Sequence, residues 1–142
     1  MTAPSDFMSI FDHDEKFKGL MKRLLQITIM NSFDAMMITE NKPGYPVVFV
    51  NPAFTQLTGY EHQELLGQSP SILQGPKTDP EVLERLRTEI NAGRTFHGVA
   101  VNYRKDGSEF VMEWKIAPIR NENEEITHFL AIQRDVTPAG VR

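Results

Sequence analysis

Between residues 12 and 26, Phe17, Leu20, Met21, Leu24 and Leu25 recur at intervals of three and four among charged positions such as Asp14, Glu15, Lys16 and Lys18. That spacing predicts an amphipathic helix. Such a stripe either covers its own domain or pairs with another chain. Residues 34–39 then read as a strand. A turn at Asn41-Lys42-Pro43-Gly44 follows, and the β-branched and aromatic run Val47-Val48-Phe49-Val50 completes a hairpin. Two short helical pieces, 53–58 and 61–66, close at Gly59 and Gly67, where a left-handed residue can end a helix. A longer helix starts with Asp79 as cap and Pro80 in the first position. Val82, Leu83, Leu86 and Ile90 form its expected buried stripe, which stops at Asn91-Ala92-Gly93.

The last third changes period. Residues 96–104, 109–119 and 126–136 are three strand patterns separated by Asp106-Gly107 and by the polar run Asn121 to Glu125, and so predict an antiparallel meander. Two strands, short helices and three strands in that order give an α+β fold, with one five-stranded antiparallel sheet and the helices on one face. Alternation places Phe129, Ala131 and Gln133 on one side of the last strand and Leu130 and Ile132 on the other. On the neighbouring strands Phe110, Met112, Trp114 and Ile116 share a face, as do Gly98, Ala100 and Asn102. If Asn102, Trp114 and Gln133 point inward, two amides and an indole meet in an apolar pocket suited to a planar heteroaromatic ligand. The alternative is that Asn102 caps a turn and Gln133 is satisfied by backbone.

Composition narrows the field. At 142 residues, 40% hydrophobic and 24% charged, the chain allows one globular domain and a short extension. Fifteen Lys and Arg against nineteen Asp and Glu give a net charge of -4, which offers no footprint for a nucleic acid. No stretch approaches the ~18 apolar residues of a membrane span. The expectation is a soluble, cytoplasmic protein. Zero cysteines exclude disulfides, thiolate metal sites and a cysteine nucleophile. His13, His62, His97 and His128 are too scattered for a metal site, and no phosphate loop or nucleophile elbow occurs, so neither a metal nor an enzyme is expected.

Asn51-Pro52-Ala53-Phe54, Thr58-Gly59-Tyr60, the run from Gly67 to Pro76, Thr78-Asp79-Pro80, Asn102 to Gly107 and Ala131 to Val136 together resemble the PAS superfamily, and within it the light-oxygen-voltage (LOV) branch. The likeness covers residues 34–137, about three quarters of the chain. It implies a flavin, FMN or FAD, held between the sheet and the short helices. By the same resemblance the flavin-contacting residues are Leu73, Gln74, Arg87, Asn102, Met112, Trp114 and Gln133. Asn102 and Gln133 match the family's readers of the flavin edge, Gln74 matches a glutamine near the ring, and Arg87 matches a phosphate arginine.

Several positions depart from the pattern. The family's light-reactive cysteine lies in a short Asn-Cys-Arg stretch, and here that stretch is Ser69-Pro70-Ser71. Proline carries no nucleophile, and Ser71 takes the place of a second phosphate arginine. Met112 replaces a second edge asparagine, and Trp114 sets an indole that either stacks beside a flavin for which Gly98 and Ala100 leave room or fills the pocket and excludes one. Arg104-Lys105-Asp106 and Glu113 are similar to flavin-containing PAS redox sensors. The expected function is therefore a flavin-binding sensor of blue light or redox state that works without a cysteinyl adduct. The alternative is a flavin-free PAS module for dimerisation or for another small ligand. The expected organisation is an extension at 1–28, a sensor domain at 29–138 and a tail at 139–142. A homodimer through the outer sheet face and the N-terminal helix is the expected assembly, with no nucleic-acid or membrane partner.

Overall fold

The computed structural model describes residues 15–139, without the side chain of Phe17. Asp12, His13 and Asp14 of the expected first helix lie outside the described residues, as does the tail from residue 140 onward. The chain divides into two compact units, one ending at Ser32 and the other beginning at Phe33.

The first unit is helix α1, Glu15–Met30. It runs four residues beyond the end expected at Gln26, because Ile27, Thr28, Ile29 and Met30 hold no glycine or proline to stop it. Thr28 Oγ1 donates back to the Leu24 carbonyl at 2.7 Å, and Asn31 closes the helix by donating from Nδ2 to the Ile27 carbonyl at 2.9 Å. Among the described residues no helix is long and apolar enough to cross a membrane.

The second unit is a five-stranded antiparallel sheet in the order β2-β1-β5-β4-β3, built from β1 (Ala35–Glu40), β2 (Val47–Val50), β3 (Phe96–Tyr103), β4 (Glu109–Arg120) and β5 (Ile126–Asp135). Helices α2 (Pro52–Thr58), α3 (His62–Leu65) and α4 (Pro80–Asn91) lie between β2 and β3 in sequence, together with a 3₁₀ turn, Pro70–Leu73. The sequence pattern does not reveal that turn. Its four residues are too few for a period, and its only signal is Ser69, whose Oγ accepts the Ser71 N–H ahead of a proline in the first position.

Motif residues build the frame by satisfying backbone groups. Asn51 is buried between β2 and α2; its Oδ1 accepts the N–H groups of Met36 (2.8 Å) and Phe54 (3.1 Å), and its Nδ2 donates to the Asp34 carbonyl (3.1 Å). One side chain thus fixes the start of β1 and caps α2. Arg104 lies over the Phe110 ring at 4.7 Å, donates to the Leu57 carbonyl and pairs with Asp135 at 3.0 Å, which ties α2 to β3 and β5. The loop before α4 is pinned to β3. Gly75 N–H donates to Thr78 Oγ1, which donates to the Val101 carbonyl, and the Lys77 N–H donates to the Tyr103 hydroxyl. A side chain at Gly75 would collide with the Tyr103 ring.

Apolar residues form two clusters instead of one block. Ala35, Met37, Val47, Val50, Phe54, Leu65, Leu73 and Ala131 make the first; Phe96, Ala100, Phe110, Met112 and Trp114 make the second. Leu57 and Ile116 pack against both. The stripe of α4 does not become buried as its spacing predicts. Val82, Leu83, Leu86 and Ile90 are only half-buried, because the last three border an open cavity and not a filled core.

Candidate functional site

A cavity of about 260 Å³ lies on the helix side of the sheet, with walls from both apolar clusters. Its volume falls near the low end of the ~300–1,000 Å³ range typical of small-molecule sites. All seven residues singled out from the sequence line it: Leu73, Gln74, Arg87, Asn102, Met112, Trp114 and Gln133. They arrive from five elements. Period-two alternation turns Asn102, Met112, Trp114 and Gln133 inward from β3, β4 and β5, and the register sets Trp114 opposite Gln133. Leu73 comes from the 3₁₀ turn, Gln74 from the residue that ends it, and Arg87 from the middle of α4.

The deep end is polar only through neutral groups. Gln133 is 1% exposed, and its Oε1 has no hydrogen-bond partner. Asn102 is 2% exposed, and its Nδ2 reaches only the Ala100 carbonyl, at a long 3.4 Å. Buried amides without partners cost about 1–3 kcal/mol each, and native folds seldom keep them without a use. Their amides therefore fit a ligand edge that offers donors and acceptors. Leu73, Met112 and Trp114 are buried around them and supply flat and aliphatic wall.

Gly98 and Ala100 do not leave the room expected for a ligand, since neither of those small residues lines the cavity. The ring of Phe96 folds beneath Gly98, where any Cβ would strike it, and Trp114 packs against that ring at a centroid distance of 5.2 Å. Gly98 thus makes room for Phe96, whose other neighbour is the Arg85 guanidinium at 4.8 Å. The indole is held to one side, so that it forms a wall.

Toward the mouth the character changes. Ser69 and Pro70 are half-buried, while Ser71, Gln74 and Arg87 are exposed. Arg87 pairs with Glu84 at 2.7 Å. Sequence reasoning missed further lining residues, among them Met37, Thr39 and Tyr45. The first two follow from strand alternation once β1 is known to be central and next to β5. Tyr45 has φ 50°, an uncommon left-handed backbone for a tyrosine, and its ring meets Phe129 edge-on at 5.8 Å. The cue for it was the turn signal just before it, which predicts a left-handed residue but not the direction of the side chain.

The described histidines lie elsewhere. His97 faces Glu113 at 2.8 Å on the outer side of the sheet, His62 meets Phe49 edge-on, and His128 bonds Thr127. Among the described residues no cluster of three His, Asp or Glu is placed to hold a metal.

A family model described as a PAS domain matches residues 34–138. The blue-light-activated histidine kinase of Brucella anthropi is 40% identical over 103 residues, which are 72% of this chain and 21% of that protein. The blue-light photoreceptor of Listeria monocytogenes is 36% identical over 114 residues, 80% of this chain and 45% of that protein. The chain thus spans about a fifth and less than half of these two relatives. A solved light-oxygen-voltage domain studied with a flavin analogue superposes with a TM-score of 0.73 at 33% identity, covering 84% of this chain and 85% of that one.

Proposed function

Because this chain belongs to the PAS family, in its light-oxygen-voltage branch, we propose that it is a cytoplasmic sensory domain of signal transduction whose cavity binds a flavin, FMN or FAD. It responds to blue light or to redox state without a bond between flavin and protein. The observation that carries this reading is the buried, partnerless Oε1 of Gln133 in a cavity that buried Asn102 also lines, with only neutral groups at its deep end. An isoalloxazine edge presents alternating donors and acceptors, which are what two amides require. The blue-light relatives add support.

The flavin supplies visible absorption and reversible electron uptake. The chain does the rest. Asn102 and Gln133 orient the ring by its polar edge, while Leu73, Met112 and Trp114 confine its faces and exclude water. Gln74 and Arg87 meet the end of the ligand that leaves through the mouth. A flavin held there would supply a group able to change between acceptor and donor, and Gln133 would rotate its amide to keep a partner, since leaving the group unsatisfied costs about 1–3 kcal/mol. β5 carries that rotation outward, because Leu130 and Ile132 alternate with Ala131 and Gln133 and point to the other side of the sheet. With no cysteine in the chain and Pro70 at the mouth, Gln133 is the point at which ligand state enters the protein.

The outer face supports a homodimer. Leu130 and Ile132 lie on it, and Val99 and Ile119 on the neighbouring strands are exposed. A second copy would cover that strip. Sedimentation at high concentration checks this: a monomer for the whole chain and for a form lacking residues 1–26 rejects it.

Purification tests the central reading. A yellow protein that releases FMN or FAD on denaturation is expected. A colourless protein that takes up neither on addition would leave a flavin-free PAS interaction module as the function.

A further inference from the structure

We propose that the cavity selects the uncharged part of the flavin, its ring and ribityl chain, and is indifferent to the terminal phosphate, because Glu84 neutralises the cation at the mouth. This inference rests on the flavin reading above.

Among the described residues that line the cavity, Arg87 alone carries a formal charge. Its guanidinium is already engaged. Nη2 donates to Glu84 Oε2 at 2.7 Å, and Nε donates to the same oxygen at 3.3 Å. The two residues lie one turn apart on α4, so their pairing follows from helix geometry. A phosphate reaching Arg87 therefore meets a pair of zero net charge. It must either displace Glu84 or tolerate it.

Neither route gains much. Both side chains are well exposed, at 64% and 70%, so water and salt screen every term, and exchanging one exposed anion for another on the same arginine leaves a small difference. The remaining mouth residues do not restore the attraction. Ser69, Pro70 and Ser71 are uncharged, and the two serine hydroxyls lie on each other at 2.9 Å, with Ser69 Oγ also taking the Ser71 N–H. The start of α4 is capped by the carboxylate of Asp79, which accepts the Glu81 N–H. Affinity therefore comes from the deep end, where Asn102 and Gln133 meet the ring. Glu84, which does not line the cavity, becomes the residue that sets phosphate discrimination.

The test titrates flavin-depleted full-length protein with riboflavin and with FMN, following the quenching of flavin fluorescence at ~0.1 M salt. Riboflavin and FMN are expected to bind within about threefold of each other. Glu84→Gln keeps the size of the side chain and frees Arg87, so FMN should gain about fivefold or more over riboflavin. Arg87→Ala should leave the ratio of the two affinities within about threefold of one. A preference for FMN above about tenfold in the unaltered protein overturns the inference while leaving the flavin reading intact, as does an unchanged ratio in Glu84→Gln. If neither ligand binds, the flavin reading falls and this inference with it.

Discussion

The two ends of the cavity are built on different principles. At the deep end, Asn102, Met112, Trp114 and Gln133 stand on three hydrogen-bonded strands whose register leaves each side chain one direction to point. Their polar groups are buried and neutral. At the mouth, Ser69, Pro70, Ser71, Gln74 and Arg87 stand on a 3₁₀ turn, its flanks and one helix, where water and Glu84 compete for every contact. Rigid backbone and low dielectric make a hydrogen bond at the deep end decisive. Exposure at the mouth makes each contact replaceable. On the flavin reading, recognition belongs to the sheet, and the loops decide which reactions the bound ligand can undergo.

The sharpest way to separate these roles is at Pro70. Illumination of the flavin-loaded protein should give no reversible bleaching of the visible band without an added electron donor. Pro70→Cys should introduce it, in an all-or-none change, if the ring lies with its reactive side toward the 3₁₀ turn. The turn should accept the change, because the N–H that cysteine adds falls in the first turn of the helix, where no intrahelical partner is needed. Time-resolved absorption reads the outcome. Dark-recovering bleaching in the unaltered protein would mean that the mouth already performs chemistry its side chains do not provide.

At the deep end the expected effect is on affinity. Gln133→Leu and Asn102→Leu replace the amides by branched apolar side chains and remove the edge contacts, so each should weaken flavin binding by about 1–3 kcal/mol, or roughly 5- to 150-fold. Gln133→Leu should also remove the difference between dark and illuminated protein in amide exchange of β5. Equal losses from Ser71→Ala at the mouth would erase the contrast between the two ends.

Legibility in the sequence follows the same division. The inward side chains of β3, β4 and β5 follow from alternation alone, and the turn at Asp106-Gly107 and the cap at Asp79 fix where elements start. What alternation cannot supply is filling. It gives Gly98 and Ala100 as open space, whereas the Phe96 ring takes the place under Gly98. Nor does it give Tyr45, whose direction depends on a left-handed turn, or the partner of Arg87, because an arginine on an exposed helix reads the same whether its charge is free or paired. α1 overran its expected end because the sequence signal for stopping, Asn31, comes after four residues that fit either helix or loop.

A smaller effect is expected where the loop under the mouth meets β3. Gly75→Ala would push a methyl group into the Tyr103 ring, which the Lys77 N–H holds through its hydroxyl. The cost should be about 1–3 kcal/mol of stability, the usual range for overpacking. Chemical denaturation measures it. Flavin affinity of the folded fraction should change less than in Gln133→Leu, since the deep end stands on the sheet and not on this loop.

The smallest effect concerns acid. Among the described residues no carboxylate or histidine lines the cavity, so flavin affinity should stay flat between about pH 5 and pH 8. Stability should not. Hydrogen bonds from Lys105 to Glu64, from His97 to Glu113, from Lys42 to Glu40 and from Arg94 to Glu89 hold these carboxyls below their ordinary value of 4.5, and Ser108 does the same for Asp106 below 3.8. Lowered folded values mean that the unfolded chain binds protons first, so this stabilisation is complete above the ordinary values and is lost as pH falls through the lowered ones. None of the five groups is buried, so the loss is gradual and screened by salt. Thermal melts across pH 3–6 should therefore show Tm falling below about pH 4.5, while titrations at pH 5 and pH 8 return the same flavin affinity. With riboflavin, which has no phosphate to titrate, an affinity that changed between those two values would place a titrating group at the deep end, contrary to the neutral amides that distinguish it from the mouth.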